Sequence, residues 1–313
     1  MEARIVPFGG QHIPAAAALL AETGKGRGLD TADPVVARQR IEEWAARLPT
    51  GFAALDGVSG RLLGFMAVTP AAGRRTRVRL DQHATLGGEL GHQVRCALYG
   101  ALSRRLVDDG ILVHEANVLA GDDGAVTSFA RLGFGIDQVK GFRPAAPAAW
   151  DPRVRRAMPE DMPRLVELAQ EIQEFHAGPP MWRQPEPGVS QMVERGYRHA
   201  IEAGPAGLHL LVVAERPGGR PVGLMQAAPD GLFTGAVTIG LAGVTQRFRS
   251  TGIGTALLNA VTDWSAGLGF SRCGAGWTSA NPVSDRFWRS RGLVPESYRM
   301  SRVIGHRPAD GAS

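Results

Sequence analysis

Cysteine is nearly missing from this chain, with Cys96 and Cys273 the only two in 313 residues. Both sit in apolar periodic segments and have no zinc-ligand spacing, which excludes a disulfide framework and leaves ordinary buried thiols. The eight histidines are scattered without ligand spacing, so no metal is expected. No run of eighteen apolar residues occurs, and the opening Met-Glu-Ala-Arg-Ile-Val-Pro-Phe lacks the apolar centre of a secretory leader. A cytoplasmic protein with no membrane partner is therefore expected. Lysine is scarce as well: 35 basic residues less Lys25 and Lys140 leave 33 arginines, a bias that fits a GC-rich bacterial genome and says little about function. The net charge of +5 invites a nucleic-acid partner. The densest basic stretch, Arg74-Arg75-Thr76-Arg77-Val78-Arg79, argues against one, because its arginines alternate with Val78 and Leu80 as on a solvated strand and no aromatic residue interleaves to stack a base. An acidic run, which an open groove for a basic peptide would want, is also absent.

What is present is enough apolar material for two cores. At 44% hydrophobic, 313 residues exceed the size at which one core stops growing, so two domains are expected. The Pro/Ala-rich stretch from Pro144 to Pro152 is the linker candidate and sets the expected domains at 1–145 and 152–313. The halves overlay on each other. Gly110 and Gly269 each end a helical pattern, an offset of 269 − 110 = 159. At that offset Gly133 falls on Gly292, Phe129 on Trp288, and the face Val94, Ala97, Leu98, Ala101, Leu102 on Ile253, Ala256, Leu257, Ala260, Val261. We read an internal duplication. Each half follows strand, two helices, a hairpin, a further strand (78–84 and 237–244), a long helix, a strand, a short helix and a closing strand. The expected fold class is α/β, with each sheet mixed but mostly antiparallel and flanked by helices.

The most informative segment joins the strand 237–244 to the helix that begins near Ile253 through Arg249-x-x-Gly252-x-Gly254. With 33 arginines and 41 glycines, roughly every second shuffled chain would contain that pattern, so its context carries the argument. Glycines between a buried strand and an amphipathic helix let backbone N–H groups approach a phosphate at the positive end of the helix. A Rossmann fingerprint would open its domain, and a P-loop would carry Lys-Ser or Lys-Thr after its glycines. Neither is found here.

This loop, followed by Asn281-x5-Phe287-Trp288-x3-Gly292-Leu293, resembles the GNAT acyltransferase superfamily, and the resemblance covers essentially the whole chain as two tandem GNAT-like domains. It implies acetyl-CoA or another short acyl-CoA as co-substrate, with no metal. Carried onto this sequence, Ala242 and Val244 would bond the pantetheine arm. Arg249, Ser250, Thr251, Gly252, Ile253, Gly254 and Thr255 would hold the pyrophosphate, and Asn281 and Trp288 would flank the thiol end. In the first half the offset sets Leu90, Gln93 and Arg95 against Arg249, Gly252 and Gly254, and Asp122 against Asn281. That copy is expected to be degenerate, to bind no acyl-CoA, and to serve as structure or to shape the acceptor pocket.

The catalytic groups usual in the family are missing. Its tyrosine acid is replaced by Phe287-Trp288, and indole N–H does not deliver a proton at neutral pH. Its glutamate base has no counterpart in 238–243. Tyr298 is the best replacement acid, with Asp230, Asp285 and Glu296 as further candidates. For the acceptor, Met181 and Trp182 in the loop between the first two helices of the second half, together with Phe233, Trp277 and Glu296, are candidate wall residues. The expected activity is transfer of an acetyl or short acyl group to the amine of a small molecule, with a homodimer left open as the assembly. The alternative is a non-catalytic acyl-CoA-binding or scaffold protein.

Overall fold

The computed structural model describes residues 3–47, 50–68, 75–183 and 188–305, so Arg74 of the basic stretch lies outside it. The chain forms two compact units, Met1–Val139 with Glu296–Ser313, and Lys140–Pro295.

The first unit runs β1 (Ala3–Pro7), α1 (Ile13–Gly24), α2 (Pro34–Ala45), β2 (Thr50–Asp56), β3 (Leu62–Val68), β4 (Arg75–Val78), β5 (His83–Thr85), α3 (Gly88–Asp108), β6 (Val113–Leu119), α4 (Asp123–Arg131) and the start of β7 (Gly135–Pro144). Strands β1, β2, β3 and β5 pair antiparallel in that order, and β4 pairs parallel to β6. The single strand expected over 78–84 is two strands. Its middle is a turn, in which Gln82 N–H bonds the Arg79 carbonyl at 3.0 Å and Arg79 N–H bonds Gln82 Oε1 at 3.0 Å. β4 therefore serves β6 while β5 serves β3.

The second unit repeats the order: β8 (Val154–Arg156), α5 (Met162–Ala177), α6 (Val189–Glu202), β9 (Leu210–Glu215), β10 (Pro221–Pro229), β11 (Ala236–Val244), α7 (Ile253–Gly267), β12 (Arg272–Thr278) and α8 (Pro282–Ser290), followed by β13 (Val294–Val303). Its sheet order is β12-β11-β10-β9-β8, antiparallel except for the parallel pair β11 and β12. Alternation along β10 fixes which helix covers which face. A Cβ on Gly223 would sit 3.2 Å from Ile253 and Leu257 of α7, whereas Leu224 packs in the core with Leu165, Leu168 and Tyr197 of α5 and α6. Of the positions whose helical spacing places them on the inward face, Ile253, Ala256, Leu257, Ala260, Val261 and Trp264 are buried on α7, whereas Leu268 falls just past its end and is exposed. Each large buried aliphatic among them contributes about 1.5–3 kcal/mol.

The expected boundary at 145–152 shifts because the closing strands change places. Residues 297–303 of β13 pair antiparallel with 119–113 of β6, so the last strand among the described residues completes the first unit. Residues 140–144 of β7 belong to the second unit. There the Phe142 ring lies 4.9 Å from that of Phe233, Lys140 pairs with Asp230, and Ala145 N–H bonds the Ser271 carbonyl at 2.9 Å. The Pro/Ala stretch is not a free tether either. Ala148 N–H and Trp150 Nε1–H both donate to the Asp263 carboxylate, at 3.1 and 2.9 Å.

Candidate functional site

The site begins with a defect in β11. Opposite Gln226 and Ala227 of β10 stand Leu241 and Ile239, so Gly240 is an extra, bulged residue. The ladder to β12 stops at Ile239 and Ala275. From Gly240 to Val244 the strand keeps β10 on one side and loses β12 on the other, which leaves open backbone groups in a cleft of about 660 Å³. Helix α5 lies directly on this segment, since a Cβ on Gly243 would come within 2.4 Å of Ile172 Cδ1. Ala242 and Val244 line the cleft.

After β11 a 3-10 turn, Gln246–Phe248, leads into the glycine loop. Thr251 Oγ1 donates to the Phe248 carbonyl at 2.7 Å, and Ser250 is held at φ +63. Gly252, at φ +85, caps α7 without any side-chain hydrogen bond. A left-handed cap with no side chain offers the first-turn N–H groups no side-chain partner at the positive end of the helix, where Gly252, Gly254 and Thr255 line the cavity. Gly254 is needed for space rather than dihedral freedom, because a Cβ there would meet Phe287 Cε2 at 3.2 Å. Arg249, Ser250, Gly252, Gly254 and Thr255 line the cleft, while Thr251 is exposed beside it and Ile253 is buried in the core beneath.

Positive charge surrounds this loop. Arg249 stacks over Phe175 at 4.3 Å and donates from Nε to the Val244 carbonyl at 3.2 Å. Arg291 donates to Thr255 Oγ1 at 3.1 Å, Arg286 lines the same wall, and Arg153 reaches the Thr251 carbonyl at 3.5 Å. Uncapped amides and three cleft arginines suit a phosphate-bearing ligand. Asn281 and Trp288 also line the cleft. Asn281 is buried and its Oδ1 accepts from Ser284 N–H at 3.1 Å, which makes it the N-cap of α8. Asp122 does the same for α4 through Ala125 N–H at 2.9 Å.

The remaining site candidates do not gather at the cleft. Tyr298 lies opposite Val118 and packs against the core of the first unit, because β13 belongs there. Glu296 belongs to that unit too, and its carbonyl accepts from Ala120 N–H at 2.9 Å. Phe233 is buried against Phe142. Trp277 is buried with its Nε1–H on Asp285 at 2.9 Å. Met181 is half-buried outside the cleft lining, and Trp182 is exposed at φ +49. Asp230 is a structural carboxylate. Burial pushes its pKa up, but Lys140, Thr238 and the Leu232 amide outweigh that and hold it below the usual range. Asp285 is likewise held low, with burial outweighed by hydrogen bonds from Arg289 and Trp277.

Helix α5 supplies what the sequence reading overlooked. Leu168, Glu171, Ile172, Phe175 and His176, at helical spacing, form its cleft face. Glu171 is ion-paired with Arg164 at 3.0 Å. Burial pushes the His176 imidazole below its ordinary pKa, and the nearby Arg183 charge pushes the same way. The ring is therefore neutral at pH 7 and able to take a proton. The signal was available as the i, i+3, i+4, i+7, i+8 pattern, hidden because it combines polar and apolar residues.

Among the described residues no group of three potential ligands is placed to hold a metal, and no helix is long and apolar enough to cross a membrane.

Residues 169–293 match the acetyltransferase (GNAT) family. No sequence among curated proteins matches the chain. A GCN5-related N-acetyltransferase from Sphaerobacter thermophilus superposes with a TM-score of 0.65 at 16% identity, covering 98% of this chain and 96% of that one. A tandem GNAT protein from the clavulanic acid biosynthesis pathway gives 0.58 at 14%, covering 98% and 100%. A GNAT-family acetyltransferase from Colwellia psychrerythraea gives 0.55 at 15%, covering 96% and 100%. At these identities the likeness is one of fold.

Proposed function

We propose that the protein, a GNAT-family chain with the fold built twice in tandem, is an N-acyltransferase that moves an acetyl or other short acyl group from coenzyme A to the amine of a small molecule. The observation that supports this best is the meeting, in one cleft, of an uncapped helix start behind Gly252 and a strand whose edge is open from Gly240 to Val244. The loop amides and Arg249, Arg286 and Arg291 would hold the phosphates. The open carbonyl and amide groups of Ala242 and Val244 would pair with the pantetheine arm, which requires Arg249 to release the Val244 carbonyl. The thioester would then lie where β11 and β12 separate.

In the reaction the amine nitrogen forms a bond to the acyl carbon as the carbon–sulfur bond breaks. Neutral His176 takes the proton the amine loses, and the departing thiolate takes one from water. Positioning in the cleft supplies the rest of the acceleration. The small-molecule acceptor is favoured because the chain has no acidic run to line a groove for a basic peptide. We place the protein in the cytoplasm, and we propose that acyl-CoA binds in the second unit alone.

Calorimetric titration of acetyl-CoA into the parent and into Gly252→Asp tests the donor. No binding by the parent would end this reading. Thiol release measured across an amine panel separates it from the alternative of a binding or scaffold protein, which the missing family tyrosine and glutamate favour. Tight acetyl-CoA binding with no amine-dependent thiol release would select that alternative.

A further inference from the structure

The first unit holds a second cavity, of about 320 Å³, at the start of its own long helix. The offset of 159 set Leu90 and Gln93 opposite the glycine loop, but both lie inside α3, which starts at Gly88, so the phosphate loop has been wound into helix. Arg95, the counterpart of Gly254, reaches into the place the loop vacates. It is 5% exposed and donates to Thr85 Oγ1 at 2.7 Å, Ser128 Oγ at 3.0 Å and the Gly124 carbonyl at 3.4 Å.

All three of these partners are neutral. Among the described residues no carboxylate lies within ion-pair distance of Arg95, although the Asp122 charge acts on it across the cavity, and its Nε–H is buried without an acceptor. Arg27, on the same cavity, has a buried Nη1 that also lacks one. The N-cap of α3, Gly87, contributes no side chain, so first-turn amides face the same space. Buried guanidinium N–H groups left without acceptors are costly, and an anion relieves that cost.

Two walls limit the kind of anion. Asp122 and Glu22 line the cavity, and their charge opposes a dianion or a polyphosphate. Asp122 is turned to cap α4, and Glu22 pairs with Lys25 at 2.5 Å, which leaves Arg95 and Arg27 for the ligand. The volume is below half that of the acyl-CoA cleft. We propose that this cavity binds a small monocarboxylate through Arg95 and Arg27, independently of acyl transfer in the other unit.

Thermal melting and arginine Nε–H NMR spectra of the full chain, titrated with acetate, propionate and butyrate at constant ionic strength, test the site. Phosphate and citrate serve as comparison arms. The expected result is a saturable rise in Tm with a monocarboxylate and a shift of one Nε–H signal that is absent from Arg95→Met. Arg27→Ala should weaken the response at least 10-fold, which keeps the test decisive if Arg95→Met fails to fold. A parent that responds to no monocarboxylate, a response in both variants as strong as the parent's, or tighter binding of phosphate or citrate would overturn the proposal.

Discussion

At the same point of a repeated fold, the second unit has a continuous, bulged strand leading into a glycine loop, whereas the first has a broken strand leading straight into a helix. In the second, β11 serves both β10 and β12 and separates from β12 beyond Ile239. In the first, the work is divided between β5 and β4, and α3 spans 21 residues against 15 for α7. The difference shows that a cleft of this kind depends on a few backbone irregularities. Once the loop becomes regular helix, its space is filled by a side chain, here Arg95.

The widest contrast should follow from Gly252→Asp. Residue 252 needs φ +85, and a carboxylate there would face the incoming phosphates, so acetyl-CoA affinity should fall at least about 100-fold, or about 3 kcal/mol, by calorimetry while the circular dichroism spectrum is kept.

The first unit has an acid weakness of similar size. Burial pushes His83 down to about 4, although its bond to the Asn117 carbonyl at 2.8 Å opposes the shift. The folded form holds the ring neutral while the unfolded chain takes up a proton below about 6.5. Stability is thus full above that pH and is lost as the pH falls toward 4, by up to about 3 kcal/mol. Urea unfolding of the parent and of His83→Gln at pH 7.5 and 5 should show the steeper loss in the parent, and equal losses would refute the assignment.

His176→Gln should reduce kcat/KM about 100-fold at pH 7 and remove an acidic limb whose midpoint lies below 6.5. An unchanged pH–rate profile would make His176 a packing residue. Gly254→Val should crowd Phe287 and weaken acetyl-CoA binding about 10-fold, with a smaller effect on Tm. The smallest change is expected from Asn281→Asp. Asp122 shows that aspartate caps the equivalent helix, so stability should stay within about 0.5 kcal/mol. A large loss of acetyl-CoA binding in that variant, with stability intact, would give Asn281 a ligand contact beyond its cap.

Much of this comparison could be read from the sequence, because it rests on local rules. The apolar spacing of Ile253 to Trp264 predicted the inward face of α7, and glycines after an apolar strand predicted the loop. The break within 78–84 was not legible, since Val78 and Leu80 continue an alternating pattern across what is a turn held by Gln82. Nor were the sites of Tyr298 and Glu296, because strand pairing is non-local and nothing in the composition of β13 names β6 as its partner. The offset of 159 aligned the ends of the long helices but not their starts, so Leu90 and Gln93 were assigned to a loop they do not form.

The pairing of β13 with β6 also orders events in time. During synthesis the first unit emerges with the β6 edge unpaired, and residues 297–303, which cover that edge, follow only after the second unit has been made. The unit translated first thus waits on the one translated second. A stalled or truncated chain would expose a sticky strand edge in the unit that was translated first.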